Sequence, residues 1–325
     1  MKVGVIVVRK QWNNAPSFLV EGIKRGITEL LTESYDFQGI GFSFCRFTVH
    51  EPGRLHVNYE DVKAYDLLLF PVWIGNKVLK CNLAELKAKG LKIVTYTGLC
   101  PFGKRPPFDY DLVTKELFQG DISSSEWKNL QSIDKFLVVK SLYPFQKEKE
   151  VGCGQFEEWL TQEKSKEDFA LLDFCKKDWD EPIWEDFKAS GAKCKIIQMG
   201  KYPLRLEGAG VFDRSFVHYR RLCKLYSRIK VFISMNESFG YPILENKMAG
   251  NYVFLHEKID VPSFHLSRFT PFWNKNNLAS KLEEVFSSWT PETPMEIRAD
   301  FKAKNPSFCS WRNTVKKIIH ELLTV

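Results

Sequence analysis

Apolar residues in this chain cluster in short, nearly continuous runs, separated by stretches in which they recur at helical spacing. Val3 to Val8 predicts a buried strand. Ser17 to Leu31 places Phe18, Ile23, Ile27, Leu30 and Leu31 on one helical face. Further strands are predicted at Gly39–Phe47, Tyr65–Val72, Leu91–Thr97 and Phe136–Val139, with a helix at Leu83–Lys89 that Gly90 ends. Strands that are apolar throughout, rather than alternating, suit a parallel sheet covered on both faces. From Pro144 to Lys166 the pattern breaks. Lys147-Glu148-Lys149-Glu150 followed by Gly152-Cys153-Gly154 reads as an interdomain linker, with a short helix after it.

A second alternating series follows. Strands are predicted at Phe169–Phe174, Cys194–Gly200, Ile229–Ser234 and Tyr252–Leu255, and helices at Pro182–Ser190 and Phe216–Arg228. The last segment, Trp311–Leu323, is an amphipathic helix carried by Val315, Ile318, Ile319 and Leu322. The expected fold is α/β, with two doubly wound Rossmann-like domains over residues 1–150 and 151–310. Ligands bind such sheets beyond the carboxyl ends of their strands, so two of them facing each other would make a cleft.

The stretch Asn236-Glu237-Ser238-Phe239-Gly240-Tyr241-Pro242-Ile243-Leu244-Glu245-Asn246-Lys247-Met248-Ala249-Gly250 lies between two of these strands and reads as loop and short helix. Pro242 suits the first helical turn and Gly250 the residue that ends the helix. The amino end of such a helix attracts phosphate. The flanking carboxylates of Glu237 and Glu245 suit hydroxyls better than phosphate, since an ionised carboxylate only accepts hydrogen bonds. The implied ligand is both polyhydroxylated and phosphorylated, as a nucleotide sugar is.

This Glu-x7-Glu pattern, with Phe-Gly inside it and Ala-Gly closing it, resembles the donor-site signature of retaining, two-domain GT-B glycosyltransferases of family 4. The resemblance implies that Glu237 contacts the donor sugar and Glu245 the ribose. It also implies that the helix at 311–323 crosses back to the first domain. Ser238, Phe239, Gly240 and Tyr241 would complete the donor loop, with Lys176, Lys177 and Arg214 toward the diphosphate and Gly200 and Lys201 toward the base. The donor would be a UDP-sugar acting as co-substrate. No cofactor is expected to be tightly bound, and a divalent metal would at most stimulate. The loop Arg9-Lys10-Gln11-Trp12-Asn13-Asn14-Ala15 lacks the Gly-Gly pair usual after the first strand of that family, which speaks against its ordinary glycan-synthesising members.

A narrower resemblance covers Tyr65–Leu68, Asn82–Ala88, Tyr96–Phe102 and Trp311–Lys317, which are similar to bacteriophage β-glucosyltransferases that modify 5-hydroxymethylcytosine in DNA. Those inverting enzymes carry a catalytic Asp where this chain has Gly98. Asp109 and Asp111 follow in the same loop and are the candidate bases. A DNA acceptor would be gripped by Lys10, Lys77, Lys80, Lys104 and Arg105, with Trp12, Phe102 or Trp73 filling the gap left by a flipped base.

Charge supports part of this picture. The net charge is +7, and residues 1–105 hold 15 Lys or Arg against 9 Asp or Glu, an excess of the kind that polyanion binders carry. Hydrophobic content of 44% is that of an ordinary globular protein, and no apolar run is long enough to span a membrane. The eight cysteines stand singly, without a Cys-x-x-Cys pair. They suggest reduced thiols in a cytoplasmic setting, a host cytoplasm if the source is viral. None of the six histidines has metal-ligand spacing, and no metal site is expected.

Overall fold

The computed structural model describes residues 1–9, 15–48, 56–71, 81–99, 124–140, 148–161, 165–173, 177–192, 195–199, 210–212, 219–234, 241–258, 266–308 and 310–325. The chain divides into two compact units, one of residues 1–154 with 307–325 and the other of residues 155–306.

In the first unit the elements run β1 (Lys2–Arg9), α1 (Ala15–Thr32), β2 (Gly41–Thr48), α2 (Tyr59–Val62), β3 (Leu67–Pro71), α3 (Leu83–Ala88), β4 (Lys92–Leu99), α4 (Ser124–Gln131), β5 (Lys135–Lys140) and β6 (Glu148–Glu150). The strands form one sheet in the order β2-β1-β3-β4-β5-β6, parallel throughout. β3 is central and every one of its residues is buried, which is why it carries no polar alternation. On one face Ile6, Leu68, Phe70, Ile93 and Phe136 meet Val62, Leu83, Leu86 and Leu130 of α2 to α4.

The C-terminal helix (Trp311–Leu323) packs on α1. A Cβ added at Gly22 would lie 2.1 Å from the Trp311 ring, and one at Gly26 would lie 2.5 Å from the Trp311 carbonyl oxygen. Two glycines one turn apart therefore let the helices approach almost backbone to backbone. The helix is held at both ends. The Ser310 hydroxyl accepts from the Asn313 amide at its start. At its finish, Lys135 Nζ donates to Glu321 O at 2.7 Å, and Lys92 Nζ donates to Val325 O at 2.6 Å. A cation belongs at Glu321, because the last carbonyls of the helix carry the negative end of its dipole.

The second unit runs α5 (Glu157–Leu160), β7 (Glu167–Asp173), α6 (Lys177–Ala189), β8 (Lys195–Met199), β9 (Gly210–Phe212), α7 (Tyr219–Tyr226), β10 (Ile229–Ser234), α8 (Tyr241–Met248), β11 (Tyr252–His256), β12 (Phe272–Trp273), α9 (Leu278–Ser287) and α10 (Thr293–Lys304). Its sheet has the order β12-β11-β10-β7-β8-β9, again parallel. Ala170, Leu172, Val231, Ile233, Phe254 and Trp273 on one face pack against Trp184 and Phe187 of α6 and Leu278 and Leu282 of α9.

Several elements differ from the sequence reading. The charged run read as a linker supplies β6, which pairs with β5 at the edge of the first sheet. Alternating Lys and Glu are tolerated there because an edge strand faces water, and its charges discourage pairing with another chain. α6 starts at Lys177, so Pro182 stands in its second turn, removing one helical hydrogen bond, rather than opening the helix. The short strands β9 and β12 and the helices α9 and α10 add to the elements read from the sequence.

Candidate functional site

In the second unit the chain lays down β7, β8 and β9 in one direction and then returns to place β10 on the other side of β7. That reversal is a topological switch point, where a doubly wound sheet opens a crevice beyond its strand ends. Asp173 and Ser234, the last residues of β7 and β10, are paired in register at its base. α6 follows β7 and begins at Lys177, and α8 follows β10 and begins at Tyr241. Two helices thus start at the same edge, each with amide groups that lack an intrahelical acceptor. Such ends favour an anion by about 0.3–1 kcal/mol each when exposed, and more when partly buried.

Pro242 is the second residue of α8 and Gly250 follows the helix with φ +77°. A Cβ on Gly250 would fall 2.6 Å from Cβ of Pro294 in α10, so glycine is required there both by backbone and by space. Glu245 lies in the second turn of the helix and is only 2% exposed.

A second polar group sits at the end of the neighbouring strand. His256, fully buried, closes β11 with its ring edge-on to Trp273 at 4.6 Å between centroids. Its Nδ1 accepts from the Lys258 amide at 3.2 Å, so the proton is on Nε2, which donates to Asp186 Oδ2 at 3.0 Å. Lys258 Nζ also donates to that oxygen at 3.3 Å. Burial pushes the His256 pKa below 6.5, against the pull of Asp186. The unfolded chain then binds the extra proton first, so this group's stability is complete above pH 6.5 and is lost as pH falls through the folded value. The melting temperature is expected to fall between pH 6.5 and 5, and His256→Gln to flatten that part of the profile in thermal scans.

The residues singled out in the sequence fall as follows. Glu245 is in α8, Tyr241 is its first residue and Lys177 is the first residue of α6. Glu237, Ser238, Phe239, Gly240, Lys176, Gly200, Lys201 and Arg214 lie outside the described residues, as do Asp109, Asp111, Lys10, Trp12, Trp73, Lys77, Lys80, Phe102, Lys104 and Arg105. The sequence reading missed Asn246, fully buried and next to Glu245 in the chain, and Asn251, fully buried and donating to Asn246. A signal was present, since asparagine is a poor residue for a helix interior. Among the described residues no cluster of three His, Cys, Asp or Glu side chains could hold a metal ion, and no helix is long and apolar enough to cross a membrane.

No protein-family model matches the chain, and no curated protein matches it in sequence. Solved structures match it in fold. The Anabaena protein HepE, crystallised in complex with UDP, superposes with a TM-score of 0.61 at 11% identity, over 100% of both chains. A glycosyltransferase from Rickettsia africae gives 0.56 at 12%, covering 99% of this chain and 98% of its own. A trehalose-6-phosphate synthase, studied for glycosyl transfer with retention, gives 0.56 at 9%, covering 99% of each chain. The two parallel sheets and these superpositions identify the fold as that of the two-domain GT-B glycosyltransferases.

Proposed function

We propose that the chain is a glycosyltransferase that takes its sugar from a nucleotide donor, a UDP-sugar, bound by the second unit. The observation that carries this reading is the placement of Glu245. An acceptor-only side chain is buried in a helix that starts at the switch point, where a second helix also starts. Amide-rich helix starts suit the diphosphate, and the carboxylate suits the ribose hydroxyls. Superposition on a fold solved with UDP agrees with that choice of donor.

In the reaction we assign, the bond between the anomeric carbon and the leaving phosphate breaks as the acceptor oxygen bonds to the same carbon. The helix starts of α6 and α8, with Lys176 and Lys177, stabilise the charge that develops on the departing diphosphate. Glu237 orients the sugar. A retaining, front-face course follows from the Glu-x7-Glu resemblance, with the acceptor proton passing to the leaving phosphate oxygen. Asp109 or Asp111 would act as base in an inverting course instead.

The first unit is assigned the acceptor. Its excess of positive charge over residues 1–105 favours a polyanion, and the phage resemblance favours a hydroxymethylated pyrimidine in DNA, held through phosphates by Lys10, Lys77, Lys104 and Arg105.

Two measurements test the donor and acceptor readings separately. Calorimetric titration with UDP is expected to show saturable binding that Glu245→Gln weakens about 10- to 100-fold, the worth of a charged hydrogen bond or two. Unchanged affinity would remove Glu245 from the site. Incubation with UDP-glucose and DNA, read by mass spectrometry, is expected to label hydroxymethylated but not unmodified duplex. Labelling of simple sugars instead would replace the DNA acceptor by a carbohydrate, and the absence of both transfer and slow donor hydrolysis would leave a binding protein.

A further inference from the structure

Behind α8 runs a buried chain of hydrogen bonds with a single direction. Lys166 Nζ, just before β7, donates to the side-chain oxygen Oδ1 of Asn251, to Ile229 O at 3.0 Å and to Tyr226 O at 3.4 Å. Asn251 Nδ2 donates to Asn246 Oδ1 at 2.7 Å and to Tyr226 O at 2.9 Å. Asn246 Nδ2 in turn donates to Pro242 O at 2.7 Å. Both asparagines are fully buried. Because an ammonium has no acceptor, the polarity of the whole chain is set from the Lys166 end. It enters α8 beyond its last residue and ends in its first turn.

An eight-residue helix has little stability of its own. The apolar side chains of α8 (Ile243, Leu244 and Met248, all buried) hold it down, but apolar packing has no direction and leaves the helix free to rotate slightly about its axis. A carboxylate stands roughly 6 Å from that axis, given a Cα radius of about 2.3 Å. A rotation of about 10° would therefore carry it about 1 Å, enough to spoil a binding geometry. The bond from Asn251 Nδ2 to Asn246 Oδ1 resists that rotation, because it ties the helix to a residue held by Lys166 and Tyr226 O, is directional and, being buried, is costly to break; the bond from Asn246 to Pro242 lies within the helix and aims the Asn246 amide.

We propose that Lys166, Asn251 and Asn246 are positioning residues that fix the rotation of α8, and so the place of Glu245 against the donor nucleotide. This rests on the donor reading above. The test is Asn246→Leu, a change of similar shape that severs the last two links yet leaves Lys166 with its three oxygens. Val285→Ala, in the core on the other face of the sheet, serves as a control that loosens packing without touching the chain of bonds. Calorimetry with UDP is expected to show a 10- to 100-fold loss of affinity in Asn246→Leu and less than a twofold change in Val285→Ala. Melting temperatures are recorded for both. Equal affinity of Asn246→Leu and the parent protein would overturn the positioning role, and so would a loss in Val285→Ala that matched it at similar melting temperature. A parent protein that does not bind UDP at all would instead refute the donor reading.

Discussion

Replacing Lys247 by Met is expected to raise the stability of the protein at pH 7 by about 3–5 kcal/mol, a shift of roughly 6–20 °C in melting temperature. Lys247 is 4% exposed in the last turn of α8. Burial pushes its pKa from 10.5 down to about 7; Asp300 opposes the shift and Lys304 adds to it. The unfolded chain keeps that proton up to pH 10.5, whereas the folded chain gives it up near 7. Unfolding between these values takes up a proton, so this group's stability is full above 10.5 and is lost as pH falls to 7. Lys166 has the same sign, also pushed down to about 7 by burial and by the charge of Arg298. Three oxygens surround the Lys166 ammonium and favour its charged form. Methionine fills a similar volume and is a good helix former. Thermal scans should show the parent protein gaining stability from pH 7 to 9.5, and Lys247→Met starting higher with a flatter profile. A lower melting temperature in the variant would show that the ammonium is compensated in the folded protein.

Gly26→Leu is expected to destabilise the first unit by more than about 3 kcal/mol, beyond the usual range for overpacking. The atoms in the way are not pliable side-chain ends. A Cβ at this position meets the Trp311 carbonyl oxygen at 2.5 Å and carbon at 2.8 Å, and Val315 Cγ2 at 2.5 Å. Relief requires the whole C-terminal helix to move, and that would pull it away from Lys92 and Lys135, which hold its end. Gly26→Ala should cost about 1–3 kcal/mol. Gly41→Ala, in open space with no unusual backbone angle, should change little. Urea unfolding followed by tryptophan fluorescence measures all three. A Gly26→Leu protein as stable as the Gly41→Ala protein would mean that the two helices can separate freely.

The sheets were legible in the sequence where the strands are central. β3 and β10 are buried along their whole length, and a strand covered on both faces must be apolar throughout. The edge strands β6, β9 and β12 were not legible. Each has two or three residues and is defined by its neighbour's free hydrogen-bonding groups rather than by a pattern of its own. The start of α6 was misplaced because proline is the customary opening residue of a helix, and here it stands inside one. At the site, Glu245 stood out because loop, helix and closing glycine are contiguous in the chain. The bonds behind it did not, because Lys166 and Asn251 are 85 residues apart and only the closed sheet brings them together.

The first unit is assembled from both ends of the chain, with the whole of the second unit inserted between them. During synthesis on the ribosome, residues 155–306 are available to fold as soon as they emerge. The glycine-lined face of α1 must wait for the helix that covers it until residues 311–323 are made. Translation thus imposes a sequence on assembly, and the half that is begun first is the last to be finished.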